Sequence, residues 1–480
     1  MPKTKKTLPN VSSDTRRPDP HKDLPSIQAL YQKVAPVDFI GGLLQRFHLR
    51  RNNGVFTLPV VLWLMIYQRL DGKGTLFAAV QHLVCGLPAG MTPKPSKRLS
   101  ERTISGNTGG YNQARHKLPL KVAEQVFDHA FDQLMAQQES KALRGCGLRV
   151  FVIDGATLLL RHTPELVAAY PPSRNQFGES HWPVMRVVVA HELSSGIAMR
   201  PHSGPVNGPK AASEQRLIEA CMSRLPAGSA LIGDRNFGVF SVAYEAQRQN
   251  HPVLLRMTSE RAKHAFGLGL NNGTDRPVAW TASRYDRARH PDLPADACVH
   301  GRLLARRVYP SDGSGPVMLY LFTTLDLPEE DIVKLYGQRW NIETDLRTVK
   351  KTIRLEMLES KTPEMAAKEL VLAIMAYNLV RAVIAESARR TQLDPRGYSF
   401  SRVQDVLNTW LPYLDTLSSE EEFQAEYERM MKYVAQCRLY KRKKPKSYPR
   451  EVWGRPQVFP RRKATAPRKP ASTSLKATRS

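Results

Sequence analysis

At Leu148 the spacing of apolar residues changes from one every three or four positions to an unbroken run. Val150-Phe151-Val152-Ile153 has no polar face, the pattern of a strand covered on both sides, and it ends at Asp154-Gly155. The pattern returns at Ala230-Leu231-Ile232, which ends at Asp234-Arg235-Asn236-Phe237-Gly238. Strands of this kind need helices on both faces, so the chain from residue 148 onward reads as α/β. Ligands of open α/β sheets collect where strands end, so two acids in that position mark a candidate site. Taken singly, such an Asp is more often a helix cap or turn residue.

The intervening segments fit the same class. Met185 to Ala190 and Ile197 to Pro201 read as a hairpin turning at Ser194-Ser195-Gly196, Glu214 to Leu225 and Val239 to Gln249 as helices, and Pro252 to Met257 as a further strand. Beyond it a β-rich insertion is expected at about 260–325. Val278 to Ala282, Cys298 to Tyr309 and Val317 to Thr323 are its strands, divided by Asn271-Asn272-Gly273 and Ser311-Asp312-Gly313-Ser314-Gly315-Pro316.

The next polar cluster falls on a helix. Pro328 followed by Glu329, Glu330 and Asp331 is a helix start, and no further proline occurs before Pro363, so one long helix is expected through Lys350. At about 100° per residue, Tyr336, Arg339, Glu343 and Lys350 fall at roughly 0°, 300°, 340° and 320°, on one stripe. Ile342, Leu346, Val349 and Ile353 form a separate apolar stripe. A carboxylate among arginine, lysine and tyrosine suits a phosphodiester: the acid holds a metal ion, and the other groups hold phosphate oxygens. An ordinary solvated face with an Arg339–Glu343 pair has the same composition. Trp340 lies beside Tyr336 on the wheel, placed either to stack on a displaced base or to pack in the core.

The spacing Tyr-x2-Arg-x3-Glu-x6-Lys, with Trp340 directly after Arg339, resembles the signature of bacterial insertion-sequence DDE transposases of family four. Leu358-Glu359-Ser360-Lys361-Thr362-Pro363, Ala376-Tyr377-Asn378-Leu379-Val380-Arg381 and Gly109-Gly110-Tyr111-Asn112-Gln113-Ala114-Arg115-His116-Lys117-Leu118-Pro119 are similar to segments of that family. The resemblance implies a ribonuclease-H-like catalytic core with a β-rich insertion. It makes Asp154, Asp234 and Glu343 the catalytic, metal-binding acids, and Tyr336, Arg339, Trp340 and Lys350 the DNA-binding residues. The implied cofactor is Mg²⁺ or Mn²⁺, as two ions, because three carboxylates form a hard oxygen site. The implied partner is double-stranded DNA, both the transposon's terminal repeats and the target, bound by a homodimer. Cleavage would expose a 3′-hydroxyl that is then transferred to target DNA.

The expected organisation is a flexible basic arm at 1–25, a helical N-terminal domain at 26–138, the catalytic domain at 148–390, a helical segment at 391–437 and a basic tail at 438–480. Arg115 and Lys117 make the N-terminal domain a candidate DNA reader, although an ordinary surface helix looks the same. The chain has 480 residues and a formal charge of +27. Its final 43 residues hold 15 Lys and Arg against the single acid Glu451. That balance favours a polyanionic partner, nucleic acid before membrane, whether the tail binds DNA or only solubilises.

Five dispersed cysteines without metal spacing fit a reducing cytoplasm, and a nucleoid location follows from the DNA partner. Val55 to Tyr67, the most apolar run, is too short to span a bilayer. Two other functions stay open on sequence grounds: a ribonuclease-H-like nuclease without strand transfer, and a catalytically silent DNA-binding protein derived from a transposase.

Overall fold

A computed structural model describes residues 27–439, apart from 50–53, 73, 86–90, 92–95, 102, 138–146, 176–177, 310–314, 415–416 and 418. The arm at 1–25 and all but the first two residues of the tail at 438–480 lie outside the described residues.

The molecule is mixed α/β, built on a nine-stranded sheet. Its strands are β1 (Arg149–Leu160), β2 (Val184–Glu192), β3 (His202–Pro205), β4 (Ser229–Gly233), β5 (Val253–Met257), β6 (Thr274–Thr281), β7 (Cys298–Val308), β8 (Val317–Thr323) and β9 (Met357–Leu358). Across the sheet the order is β3-β2-β1-β4-β5-β8-β7-β6, and β9 joins β1 off this path. β2 runs antiparallel to both its neighbours, β1 and β3, whereas β1, β4 and β5 are parallel. The helices Glu214–Met222 and Phe240–Arg248 provide the crossovers into β4 and β5. The all-apolar interior of β4 follows, since every one of its residues is buried.

Two strand assignments differ from the sequence expectation. β1 does not stop at Asp154 but continues to Leu160, because β2 pairs with it as far as Leu159↔Val184 and β9 adds Leu159↔Met357 and Leu160↔Leu358. The partner that follows the turn after β2 is His202–Pro205. Within 197–201 there is only the isolated bridge His191↔Ala198, and the Asn378 side chain binds both the N–H and the carbonyl of Ala198. The strands expected as an insertion continue the sheet through antiparallel pairing of β5 with β8.

The helices Ile27–Val34, Val37–Arg46, Leu58–Leu70, Leu76–Cys85, Gly109–Lys117 and Leu120–Gln137 precede the sheet. Leu58–Leu70 is apolar around most of its circumference and correspondingly buried, so it occupies the middle of its group. It packs, like Leu120–Gln137, on the long helix Pro363–Thr391, and one hydrophobic core runs from Tyr31 through the sheet to Cys437. Pro363–Thr391 is the one described helix long and apolar enough to cross a membrane, and its apolar side chains are buried inside the molecule. The helices Phe400–Leu414 and Glu420–Gln436 close its other side.

Arg115, expected as a possible DNA contact, is a packing residue. Its guanidinium is buried 2.5 Å from Glu369 Oε1 on the long helix, and Arg69 holds Glu369 Oε2 at 3.2 Å. A cation paired in this way is not offered to a phosphate.

Candidate active site

Between Val152, the last β1 residue paired with β4, and Leu159, the first paired with β9, β1 has no strand neighbour on its parallel side among the described residues. Asp154 stands at the start of this gap. Asp234 follows β4 directly, so the end of that strand delivers the second carboxylate to the same gap. The sequence fixes both locally. Gly155 N–H donates to Asp154 Oδ1 at 2.7 Å, and Asn236 N–H to Asp234 Oδ1 at 2.8 Å. The Asp234–Gly238 loop needs its terminal glycine, because a Cβ at Gly238 would overlap the Arg256 carbonyl on β5. Arg261 Nη1 closes the loop by donating to the carbonyls of Arg235 and Gly238.

The two acids sense each other. Burial pushes the Asp154 carboxyl up to about 6, the Gly155 N–H opposes the rise, and the charges of Asp234 and Glu214 reinforce it while Arg339 lowers it. An acid held in this way favours a proton or a cation.

The helix opposite is not continuous. Glu329–Gly337 and Trp340–Lys351 are separate helices joined through Gln338 and Arg339. The junction carries i→i+3 bonds, Arg339 N–H to Tyr336 O and Ile342 N–H to Arg339 O, both 3.0 Å. A tightened turn beginning at Gly337, a poor helix former, replaces the expected straight run and breaks the single stripe. The helix Trp340–Lys351 nevertheless packs on β1. Arg339 Nη2 lies 2.8 Å from Glu343 Oε1, and the guanidinium also feels Asp154. Burial disfavours the Arg339 charge, but Tyr336, Glu343 and Asp154 outweigh it and raise its pKa. The Arg339 side chain is 11 % exposed and that of Glu343 36 %, so the arginine end of the pair is not on a solvated face.

Tyr336 is buried, and among the described residues its hydroxyl has no partner in strict hydrogen-bonding geometry, although the Arg256 guanidinium lies beside it. Burial raises its pKa against the opposing charges of Arg339 and Arg256. Trp340 is 66 % exposed with the Arg339 guanidinium 5.5 Å from its ring centroid, which removes the core-packing alternative. Lys350 is half-buried near the far end of the helix. Two residues not singled out in the sequence also stand here, Arg256 and Glu214. Their only advance signals were their places in a strand and at a helix start.

Among the described residues, no group of three or more His, Cys, Asp or Glu side chains is close enough to share a metal ion. Glu343 is turned to Arg339 instead. The donor chemistry still suits a hard divalent cation, since Asp154 and Asp234 offer carboxylate oxygens whose repulsion a cation would relieve.

Residues 145–379 match the model of the transposase DDE domain. The chain is also 24% identical, over 428 residues, to the transposase InsG for insertion sequence element IS4 of Escherichia coli (strain K12), a span covering 87% of this chain and 89% of that protein.

Proposed function

The chain belongs to the insertion-sequence DDE transposases of family four, and from that premise we propose that Asp154, Asp234 and Glu343 are the carboxylates that carry its chemistry. The observation that carries the assignment is the gap in the sheet, where two mutually repelling aspartates face a helix whose own acid is held by Arg339. The topology, with an antiparallel β1-β2-β3 meander on one side of β1 and two parallel strands on the other, supports a ribonuclease-H-like core.

The three acids would hold Mg²⁺ or Mn²⁺, as two ions. When bound, such ions neutralise charge and align the attacking and leaving oxygens of an in-line displacement at phosphorus. The chain's own residues do the remainder. Arg339, released from Glu343, and Lys350 bind phosphate oxygens of the DNA end. The unpartnered Tyr336 hydroxyl donates a further hydrogen bond, and the exposed Trp340 indole stacks on a base displaced from the duplex. The substrates are the element's terminal repeats and target DNA, engaged by a homodimer in the cytoplasm, at the nucleoid. The charge of +27 supports this partner.

The test is incubation of the full chain with its own element's ends and Mn²⁺, mapping nicked strands and joined products. Asp154→Asn, Asp234→Asn and Glu343→Gln should each abolish cleavage and retain end binding, because phosphate contacts supply most affinity. Full cleavage by one variant removes that residue from the site.

A further inference from the structure

We propose that Glu214 is a positioning residue of this site, one that bridges the elements bearing Asp154 and Asp234 and adds a further negative charge beside the place where a divalent cation is held. The proposal rests on the metal-binding reading above.

Glu214 is in the first turn of the helix Glu214–Met222, with Ser213 as N-cap accepting from Arg216 N–H. Its carboxylate lies flat against β1 at Gly155. A Cβ on residue 155 would overlap Cδ and both carboxylate oxygens of Glu214. Only glycine directly after Asp154 therefore admits this approach. On its other side, Glu214 Oε2 accepts from Asn236 Nδ2 at 3.2 Å, and Gln215 Nε2 donates to the Asn236 carbonyl at 2.6 Å. Asn236 is the residue whose N–H holds Asp234 Oδ1. A single helix start thus touches the backbone beside the first aspartate and the residue whose backbone N–H orients the second.

Among the described residues no Lys or Arg forms an ion pair with Glu214. A structural carboxylate at a helix start would serve as well neutral or replaced by an amide. One placed between two other acids without a cationic partner raises the local demand for a cation. Residues that orient ligands in this way typically contribute about 10–100-fold to metal affinity.

The test uses the full chain bound to a duplex of its element's end and measures bound Mn²⁺ by electron paramagnetic resonance, with thermal unfolding of the metal-free protein as control. Glu214→Gln keeps an acceptor for Asn236 and loses the charge. It should bind Mn²⁺ at least about tenfold more weakly, with the metal-free unfolding midpoint unchanged. Glu214→Asp, which keeps the charge on a shorter stem, should recover part of the loss. A Gly155→Ala chain, whose methyl would push the Glu214 carboxylate off β1, should lose Mn²⁺ affinity to about the same extent as Glu214→Gln, and the double variant should lose no more. Wild-type Mn²⁺ affinity in Glu214→Gln overturns the proposal. Undiminished Mn²⁺ binding in Asp154→Asn would instead remove the metal reading, whatever Glu214 does.

Discussion

Asp345 and Arg381 form a buried ion pair, Oδ1 to Nη2 2.6 Å, two residues along the helix from Glu343. Arg396 Nη1 reaches the other carboxylate oxygen at 2.6 Å, and also donates through Nε and Nη2 to the carbonyls of Leu193 and Glu192. Tyr377, one turn before Arg381, donates its hydroxyl to the Gly196 carbonyl at 3.0 Å. The helix carrying Glu343 is therefore fixed from behind to the long helix and to the turn after β2. Burial opposes ionisation of Asp345, but the guanidiniums of Arg381 and Arg396 outweigh it and hold the carboxyl well below its usual range.

Removing one member of such a cluster leaves an uncompensated buried charge, at a cost of about 3–5 kcal/mol. Asp345→Ala should lose that much in urea unfolding, and Arg381→Ala should lose less because Arg396 still pairs with Asp345. A loss below about 1 kcal/mol for Asp345→Ala would show that the cluster does not hold the helix.

Asp154 gives a pH signature. Its folded value, about 6, lies above the ordinary carboxyl value, so the folded state binds the proton more tightly than the unfolded one. Its contribution is favourable at acid pH and is lost as pH rises through about 4 to 6. Asp154→Asn, which cannot ionise, should thus be more stable than wild type at pH 8, by about 1–3 kcal/mol, and show no such gain at pH 4. Urea unfolding of metal-free protein at both values measures it. Mn²⁺ competes with the same proton, so the Mn²⁺ concentration needed for half-maximal cleavage should rise as pH falls below about 6.

For Trp340 stability and function should separate. An exposed side chain away from the core contributes within about 0.5 kcal/mol to folding, whereas stacking on a base is worth about 1–3 kcal/mol. Trp340→Ala should unfold like wild type yet process DNA ends at least fivefold more slowly, and Trp340→Phe should keep most of the rate. Fluorescence of 2-aminopurine at the end position reports the displaced base directly. Unchanged fluorescence on mixing wild type with such DNA would exclude stacking there.

Local chemistry explains how much of this could be read in advance. Asp154 and Asp234 stood out because an apolar run needs only its own residues to announce a buried strand, and Asp234-Arg235-Asn236-Phe237-Gly238 is a self-contained loop. The extension of β1 through Ala156 and Thr157 was hidden, since it depends on β2 and β9, the latter about 200 residues away. Arg115 looked like a surface cation because its partner Glu369 is 254 residues distant. Glu214 showed only as a helix start, since its approach to Gly155 is created by the crossover helix. The break after Gly337 was present in the sequence as a glycine, but the acidic helix start and absent prolines argued for continuity.

Arg339 provides the most discriminating test. In this structure it holds one carboxylate oxygen of Glu343, so a cation taking Glu343 as ligand competes with the guanidinium, which when released is free for a phosphate. Two opposite effects follow from Arg339→Ala. Without DNA, Mn²⁺ binding should strengthen by a few fold, because no internal cation competes. Cleavage should fall by at least tenfold and not recover with added Mn²⁺, because the phosphate contact is gone; a charged hydrogen bond is worth about 1.5–3 kcal/mol. Glu343→Asp, a shortened ligand, should be rescued in part by Mn²⁺. An exposed helical pair would contribute only about 0.3–0.5 kcal/mol, with little effect on either quantity. Metal titrations of binding and of cleavage for wild type, Arg339→Ala and Glu343→Asp therefore distinguish the two roles, and near wild-type cleavage in Arg339→Ala would end the phosphate-clamp assignment.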